Sequence, residues 1–275
     1  MVFSYNGPIE CKLKNVTGAI LSKKDVRDYK AVCTAVVDFP KEFELKMVRI
    51  KNQGIIGSCV AHSISEVIEY FNSIQNNDTT EMSTGYIYGN RNTSTWKDAG
   101  MITRDALKAV KLYGDVPKDD FPYNIEVPKA IEEYQKVSDK LYEKGYPYRI
   151  STYARLNDIN SVKQALMNNG PVVMAMEWFD DMKVKKGILT SEKKRSAGGH
   201  CMVIYGWNEI GWKVQNSWGK LWGDNGCCII PYDMKIREFW TVTDDIIQGM
   251  EIKKPFSSSF GKLIAKLLNW IYSLF

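Results

Sequence analysis

Chemistry first becomes legible at Gln53-Gly54-Ile55-Ile56-Gly57-Ser58-Cys59, a glycine-punctuated stretch that ends on a thiol. Beyond it Ala61, Ile64, Val67, Ile68, Phe71 and Ile74 recur at helical spacing. That period predicts an amphipathic helix from Cys59 to about Asn76-Asn77-Asp78, with Ser58 where an N-cap belongs. A thiol in the first turn faces converging backbone N–H groups and the positive end of the helix dipole. Both lower its pKa, and the thiolate is the nucleophilic form. Gly54 and Gly57 let a substrate backbone come close. Gln53 can offer an amide donor to an oxyanion. A lone cysteine is most often a small buried hydrophobe, however, so the nucleophilic reading needs a base.

The chain has two histidines. His62 lies three residues on from Cys59 in the same helical run, where a satisfied core histidine is expected. His200 stands in Gly198-Gly199-His200-Cys201-Met202-Val203-Ile204-Tyr205-Gly206-Trp207, and the double glycine is expected to deliver it to the first residue of a strand. A third stretch is Val214-Gln215-Asn216-Ser217-Trp218-Gly219, followed by Trp222-Gly223 and Gly226. An amide such as Asn216 can accept from one imidazole nitrogen and fix the tautomer, leaving the other for the thiol. Trp218 can lie over that hydrogen bond and exclude water. A Cys59–His200 ion pair is expected to follow.

With all three stretches in the order Cys, His, Asn, the chain resembles the papain-like cysteine peptidases over about residues 36 to 245. The weaker match of Tyr113-Gly114-Asp115-Val116 to Phe121-Pro122-Tyr123 agrees. The resemblance implies an α+β, two-lobed fold with a helical lobe, a β-barrel-like lobe and a cleft between them. It implies a Cys-His-Asn peptidase forming a thioester acyl-enzyme, with Cys59 as nucleophile, His200 as base and acid, and Asn216 as orienter. Gln53 and the Cys59 backbone N–H would form the oxyanion hole. By the same resemblance Gly100 pairs its backbone with substrate. Met101, Ala175 and Cys201 would line an apolar pocket for the second residue before the scissile bond, in an endopeptidase. Gly57 and Trp218 complete the substrate-binding set. No cofactor and no metal are implied. Ile56 and Val60 stand where the family often has a disulfide cysteine and a tryptophan. The alternative is a catalytically inactive peptide-binding protein on the same scaffold; an intact Cys59, His200, Asn216 and Gln53 favours the enzyme.

The elements that must position these residues divide the chain. Residues 1–34 read as a leader or strap, too few for a separate folded domain. It is expected to wrap the lobes rather than to block the cleft. A peptidase domain follows over 35–252, helical at about 55–145 and β-rich at about 146–250. Helices are predicted at 103–113, 129–144 and 162–168. Strands are predicted at 172–176, 201–205, 212–215 and 227–230. Asp98-Ala99-Gly100 is a turn signal. Over 256–275, Phe260, Leu263, Ile264, Leu267, Leu268 and Ile271 share one face of an amphipathic helix. At roughly 24 Å it is too short to span the roughly 30 Å hydrocarbon core. Its expected partners are the protein's own body, a second copy or a partner protein, with a membrane surface less favoured.

The net charge of +5 is spread along the chain and gives no warrant for nucleic acid. A peptide or protein substrate is the expected partner. Lys183, Lys185, Lys186, Lys193, Lys194 and Arg195 read as a solvated loop, or else as a positive rim that steers acidic substrates. Six scattered cysteines without C-x-x-C pairs exclude a cysteine-rich metal site and are expected to stay reduced. No secretory signal is visible. Together these point to a cytoplasmic location.

Overall fold

The structure, a computed structural model, describes residues 17–25, 28, 30–31, 38–91, 100–123 and 139–244. Cys11, Cys33, Asp98-Ala99, most of the helix expected at 129–144 and the whole 256–275 helix lie outside the described residues. In chain order the leader supplies β1 (Ala19–Ile20) and β2 (Lys30–Ala31), and β3 (Phe43–Glu44) follows. Next come α1 (Cys59–Asn76), α2 (Thr84–Gly89), β4 (Met101–Ile102), α3 (Thr103–Tyr113), α4 (Asp139–Gly145) and a 3₁₀ turn (Tyr146–Tyr148). The second half holds β5 (Thr152–Leu156), α5 (Ile159–Asn168), β6 (Val172–Phe179), β7 (Lys183–Lys185) and β8 (Ile188–Thr190). It ends with β9 (Ser196–Trp207), β10 (Gly211–Gln215), β11 (Cys227–Pro231) and β12 (Ile236–Thr243). Helices thus dominate the first half and strands the second, an α+β arrangement.

One sheet runs β2-β5-β12-β6-β9-β10-β11-β8-β7, with β1 and β3 also pairing on β9. The β6–β9 ladder sets Ala175 opposite Cys201 and Met176 opposite His200. Successive side chains on these strands face opposite sides. Val173, Ala175, Cys201 and Val203 enter the core built around α1. Met174, Met176, Met202 and Ile204 enter a second core with Val162 and Leu166 of α5. The sheet is therefore apolar on both faces, and β6 and β9 are the partition between two lobes.

α1 departs from the amphipathic expectation. It is buried on every side from Cys59 to Asn72, while Ile74 is 59% exposed. The polar face goes inside because its charge is paired. Glu69 accepts from Arg49 and Lys51, each at 2.7 Å, and from the Met82 N–H at 2.7 Å. Such pairing is what a buried carboxylate requires. Ser58 occupies the N-cap position, yet its side chain makes no cap bond. It turns instead to Tyr123 Oη at 2.7 Å. The helix ends as expected, at Asn77 in the left-handed conformation (φ 51°).

Other boundaries moved. α5 begins three residues before the predicted Val162, because Asp158 caps it by accepting from the Ser161 N–H at 2.9 Å. β9 begins at Ser196, so His200 lies inside the strand and not at its first residue. Gly198 and Gly199 are strand residues, paired with Trp178 and Glu177 of β6. β12 went unpredicted, since Arg237 and Glu238 interrupt its apolar pattern. Glu238 is nonetheless buried, accepting from the Ser22 N–H and from Trp240 Nε1. Among the described residues no helix is long and apolar enough to cross a membrane.

Candidate active site

The three stretches meet where α1 packs on β9. The Gln53 loop is tied to the Asn216 segment by backbone, with Gln53 N–H donating to Ser217 O at 2.8 Å and Asn52 bridging Trp218. Side chains repeat the link. Ser217 Oγ donates to Gln53 Oε1 at 2.7 Å, while Gln53 Nε2 donates to Ile56 O at 2.8 Å. The Gln53 amide is thereby oriented, with its NH₂ toward the loop that precedes Cys59.

His200 Nε2 lies 2.8 Å from Asn216 Oδ1. The same oxygen accepts from the Ser217 N–H at 2.8 Å, which orients the amide. Nε2 therefore carries the proton and donates, and Nδ1 is the lone-pair nitrogen. Nδ1 is buried and makes no hydrogen bond among the described residues. Trp218 stacks on the imidazole with ring centroids 4.3 Å apart and planes 20° apart. Trp178 meets the imidazole edge-on at 5.2 Å, and Trp222 packs on Trp218 at 5.4 Å. The hydrogen bond lies within an aromatic box.

The leader crosses this site. Gly18 N–H donates to Gly199 O at 3.1 Å, and Gly18 O accepts from the Met101 N–H at 2.9 Å. Ala19 pairs antiparallel with Gly199 and parallel with Met101. The approach is so close that only glycines fit: a Cβ on Gly199 would lie 2.1 Å from Ala19 O, and one on Gly100 2.8 Å from Gly18 O. Cys59 and His200 are both fully buried. Downstream of the cleft the leader is also held as a strap. Arg104 of α3 grips both oxygens of Asp28, at 2.6 and 2.7 Å, and β2 pairs parallel with β5.

Burial works against the expected ionisation. It pushes the Cys59 thiol up to about 11, although backbone hydrogen bonds at Cys201 and Gly18 pull the other way. It also pushes His200 down to about 4, against the bond to Asn216. Burial therefore works against the thiolate–imidazolium pair expected from the sequence. The helix start cannot compensate once leader and core have excluded water.

His62 is a core histidine. It is buried, its Nδ1 lies 3.0 Å from Ser58 O, and its ring meets Tyr123 edge-on at 4.8 Å. Burial holds it neutral, down to about 3. Met101, Ala175 and Cys201 share one apolar cluster, which also contains Ala19 of the leader. Gly57 lies against Gly18. Cys59, Cys201, Cys227 and Cys228 are all reduced; Cys227 is half-buried rather than buried, because alternation on β11 turns it away from the core that takes Cys228. No group of three or more metal-ligating side chains forms among the described residues. Ser217 and Trp178 are site residues that sequence reasoning did not single out. Trp178 could have been found by continuing the alternation Val172, Met174, Met176 along the opposite face from Ala175.

A papain family cysteine protease model matches residues 34–240. The chain belongs to the papain family of cysteine proteases. It is 29% identical to an uncharacterized peptidase C1-like protein of Acanthamoeba polyphaga mimivirus, over 73% of this chain and 72% of that one. It is 25% identical to cathepsin B of Dictyostelium discoideum, over 74% of this chain and 69% of that one. In structure it is similar to xylellain, a cysteine protease from Xylella fastidiosa, with a TM-score of 0.73 at 23% identity, covering 84% of this chain and 96% of that one. Procathepsin B of Trypanosoma congolense superposes with a TM-score of 0.66 at 18% identity, covering 88% and 92%. The two-lobed α+β fold and the hydrolase class of this papain-family member follow from these matches.

Proposed function

We propose that this papain-family protease is an endopeptidase working through Cys59, His200 and Asn216, and that residues 17–20 hold it latent. The observation that carries the triad is the His200–Asn216 bond, which commits Nε2 and leaves Nδ1 as the basic nitrogen. With the leader displaced, water re-enters, the thiol's pKa falls and the imidazole's rises, so proton transfer from Cys59 to Nδ1 becomes favourable. The thiolate then attacks the scissile carbonyl. Gln53 Nε2 and the Cys59 N–H receive the oxyanion, and the His200 imidazolium protonates the leaving amine. Water, deprotonated by His200, hydrolyses the thioester.

Gly57, Gly100 and Trp218 serve substrate binding in this reading. The leader backbone against Gly100 and Met101 supports pairing of a substrate backbone at Gly100. Met101, Ala175 and Cys201 are apolar and share a cluster with Ala19, which supports a preference for Leu, Val or Phe two residues before the scissile bond. The reduced thiols support a cytoplasmic setting. The test is to delete residues 1–30 and measure both turnover of a fluorogenic Leu-containing peptide and labelling of Cys59 by an epoxysuccinyl probe. Both should rise, and Cys59→Ala should abolish both. Turnover by the Cys59→Ala protein would sink the mechanism. A deletion that lowers stability without raising turnover would sink the latency.

A further inference from the structure

A cavity of about 580 Å³ lies away from the triad, between the leader and the edge of the sheet. Leader residues 21–24 form one wall, and β5 and β12 form the others. Five of its lining residues are basic: Lys23, Lys24, Arg155, Lys235 and Arg237. Glu238 is the acid among them, and both of its oxygens are engaged, by the Ser22 N–H and by Trp240 Nε1.

Arg155 is the key side chain. It is 6% exposed, and its Nη2 donates to Arg237 O at 3.2 Å. Its Nη1 is buried without a hydrogen bond among the described residues. The carboxylate beside it, Asp28 at 3.6 Å, is already gripped by Arg104. One acid thus answers two guanidinium groups. Lys23, Lys24, Lys235 and Arg237 are exposed and form no ion pair among the described residues. Four exposed cations on the cavity walls, with a buried guanidinium behind them that shares its one carboxylate, call for an anion with several charges. A guanidinium fork matches phosphate oxygens in shape and charge. The volume is that of a small-molecule site, which favours a small ligand over a polymer.

We propose that this cavity binds a small oligophosphate, which bridges Lys23 and Lys24 of the leader to Arg155, Lys235 and Arg237 of the body. The site does not depend on the peptidase reading. Inorganic tripolyphosphate is the probe, titrated calorimetrically into the full chain at moderate salt. One-to-one saturable binding is expected. The Lys235→Glu/Arg237→Glu protein, altered only on the surface, should bind on the order of 100-fold more weakly, as expected for two lost charge-assisted contacts. The Lys183→Glu/Lys185→Glu protein, with the same change of charge elsewhere, should bind as the unaltered chain does. Absence of saturable binding, or equal loss in both variants, would overturn the site. Cleavage by endoproteinase Lys-C after Lys23 and Lys24 should slow when tripolyphosphate saturates. Unchanged cleavage at saturation would overturn the bridge to the leader.

Discussion

Gly18 lies so close against Gly57 that a Cβ on Gly18 would fall 2.0 Å from the Gly57 carbonyl oxygen. The leader thereby touches the loop of the nucleophile, just as it touches Gly199 beside the histidine. One segment runs beside both the Cys59 loop and His200, and its fit depends on the absence of side chains. Gly18 also reaches the Cys59 sulfur through its backbone, a contact that pulls the thiol pKa down against the effect of burial.

Gly18→Val is the sharpest way to break that fit. The added side chain meets backbone, which cannot give, so the leader must lift. Overpacking of this kind costs about 1–3 kcal/mol, and each 1.4 kcal/mol or so raises the uncovered population about tenfold. Epoxysuccinyl labelling of Cys59 should therefore quicken by about tenfold or more. Labelling at the unaltered rate would mean that Gly18 does not hold the site shut.

Asn216 and Gln53 should fail differently. Asn216→Ala leaves the His200 Nε2–H buried without its acceptor and the ring without its orienter, so turnover falls but is not lost. Gln53→Ala removes a donor to the oxyanion and should cost on the order of 100- to 1,000-fold in kcat. Both comparisons are made on the protein lacking residues 1–30, with single-turnover kinetics. An unchanged kcat in Gln53→Ala would remove it from the oxyanion hole.

Ser217 acts through Gln53. Its hydroxyl donates to Gln53 Oε1 at 2.7 Å, opposite the NH₂ that faces the nucleophile loop. Ser217→Ala leaves a buried acceptor unmet, at about 1–3 kcal/mol, and lets the amide turn. The expected result is a kcat lower by about tenfold with KM nearly unchanged, and recovery in Ser217→Thr. A raised KM with kcat intact would mark Ser217 as a binding residue instead.

Cys59, His200, Asn216 and Gln53 stand out in the sequence because each sits in a distinctive short motif, Q-G-I-I-G-S-C, G-G-H-C and Q-N-S-W-G. Ala175 and Cys201 came from the resemblance, and the β6–β9 register sets them opposite each other. What the sequence did not disclose was set by long-range contact. The polar side of α1 reads as solvent-facing until Arg49 and Lys51, from the preceding loop, are seen to pair with Glu69. The glycines before His200 read as the approach to a strand until β6 and the leader are seen to pair with them on either side. The direction of the shift at Cys59 was hidden for the same reason: local sequence places Cys59 at a helix start, whereas burial in the folded core pushes its thiol up.

Glu66 provides a pH test of the α1 interior. It is 2% exposed, and burial pushes its carboxyl up to about 8, with Lys51 pulling it back. Its unfolded pKa is near 4.5. Between about pH 4.5 and 8 the folded protein therefore holds a proton that the unfolded chain has released. Stability from this group is full below about 4.5 and is lost as pH rises toward 8. Glu66→Gln mimics the protonated side chain at every pH. It should be nearly neutral at pH 4.5 and should stabilise by up to a few kcal/mol at pH 8, read as a higher midpoint in urea. The two histidines have the opposite sign, with folded pKa values lowered, so they destabilise on acidification below about 6.5. They are unaltered in the variant, and the difference between the two proteins isolates Glu66. A Glu66→Gln effect that is equal at pH 4.5 and pH 8 would show that this carboxyl does not titrate on unfolding.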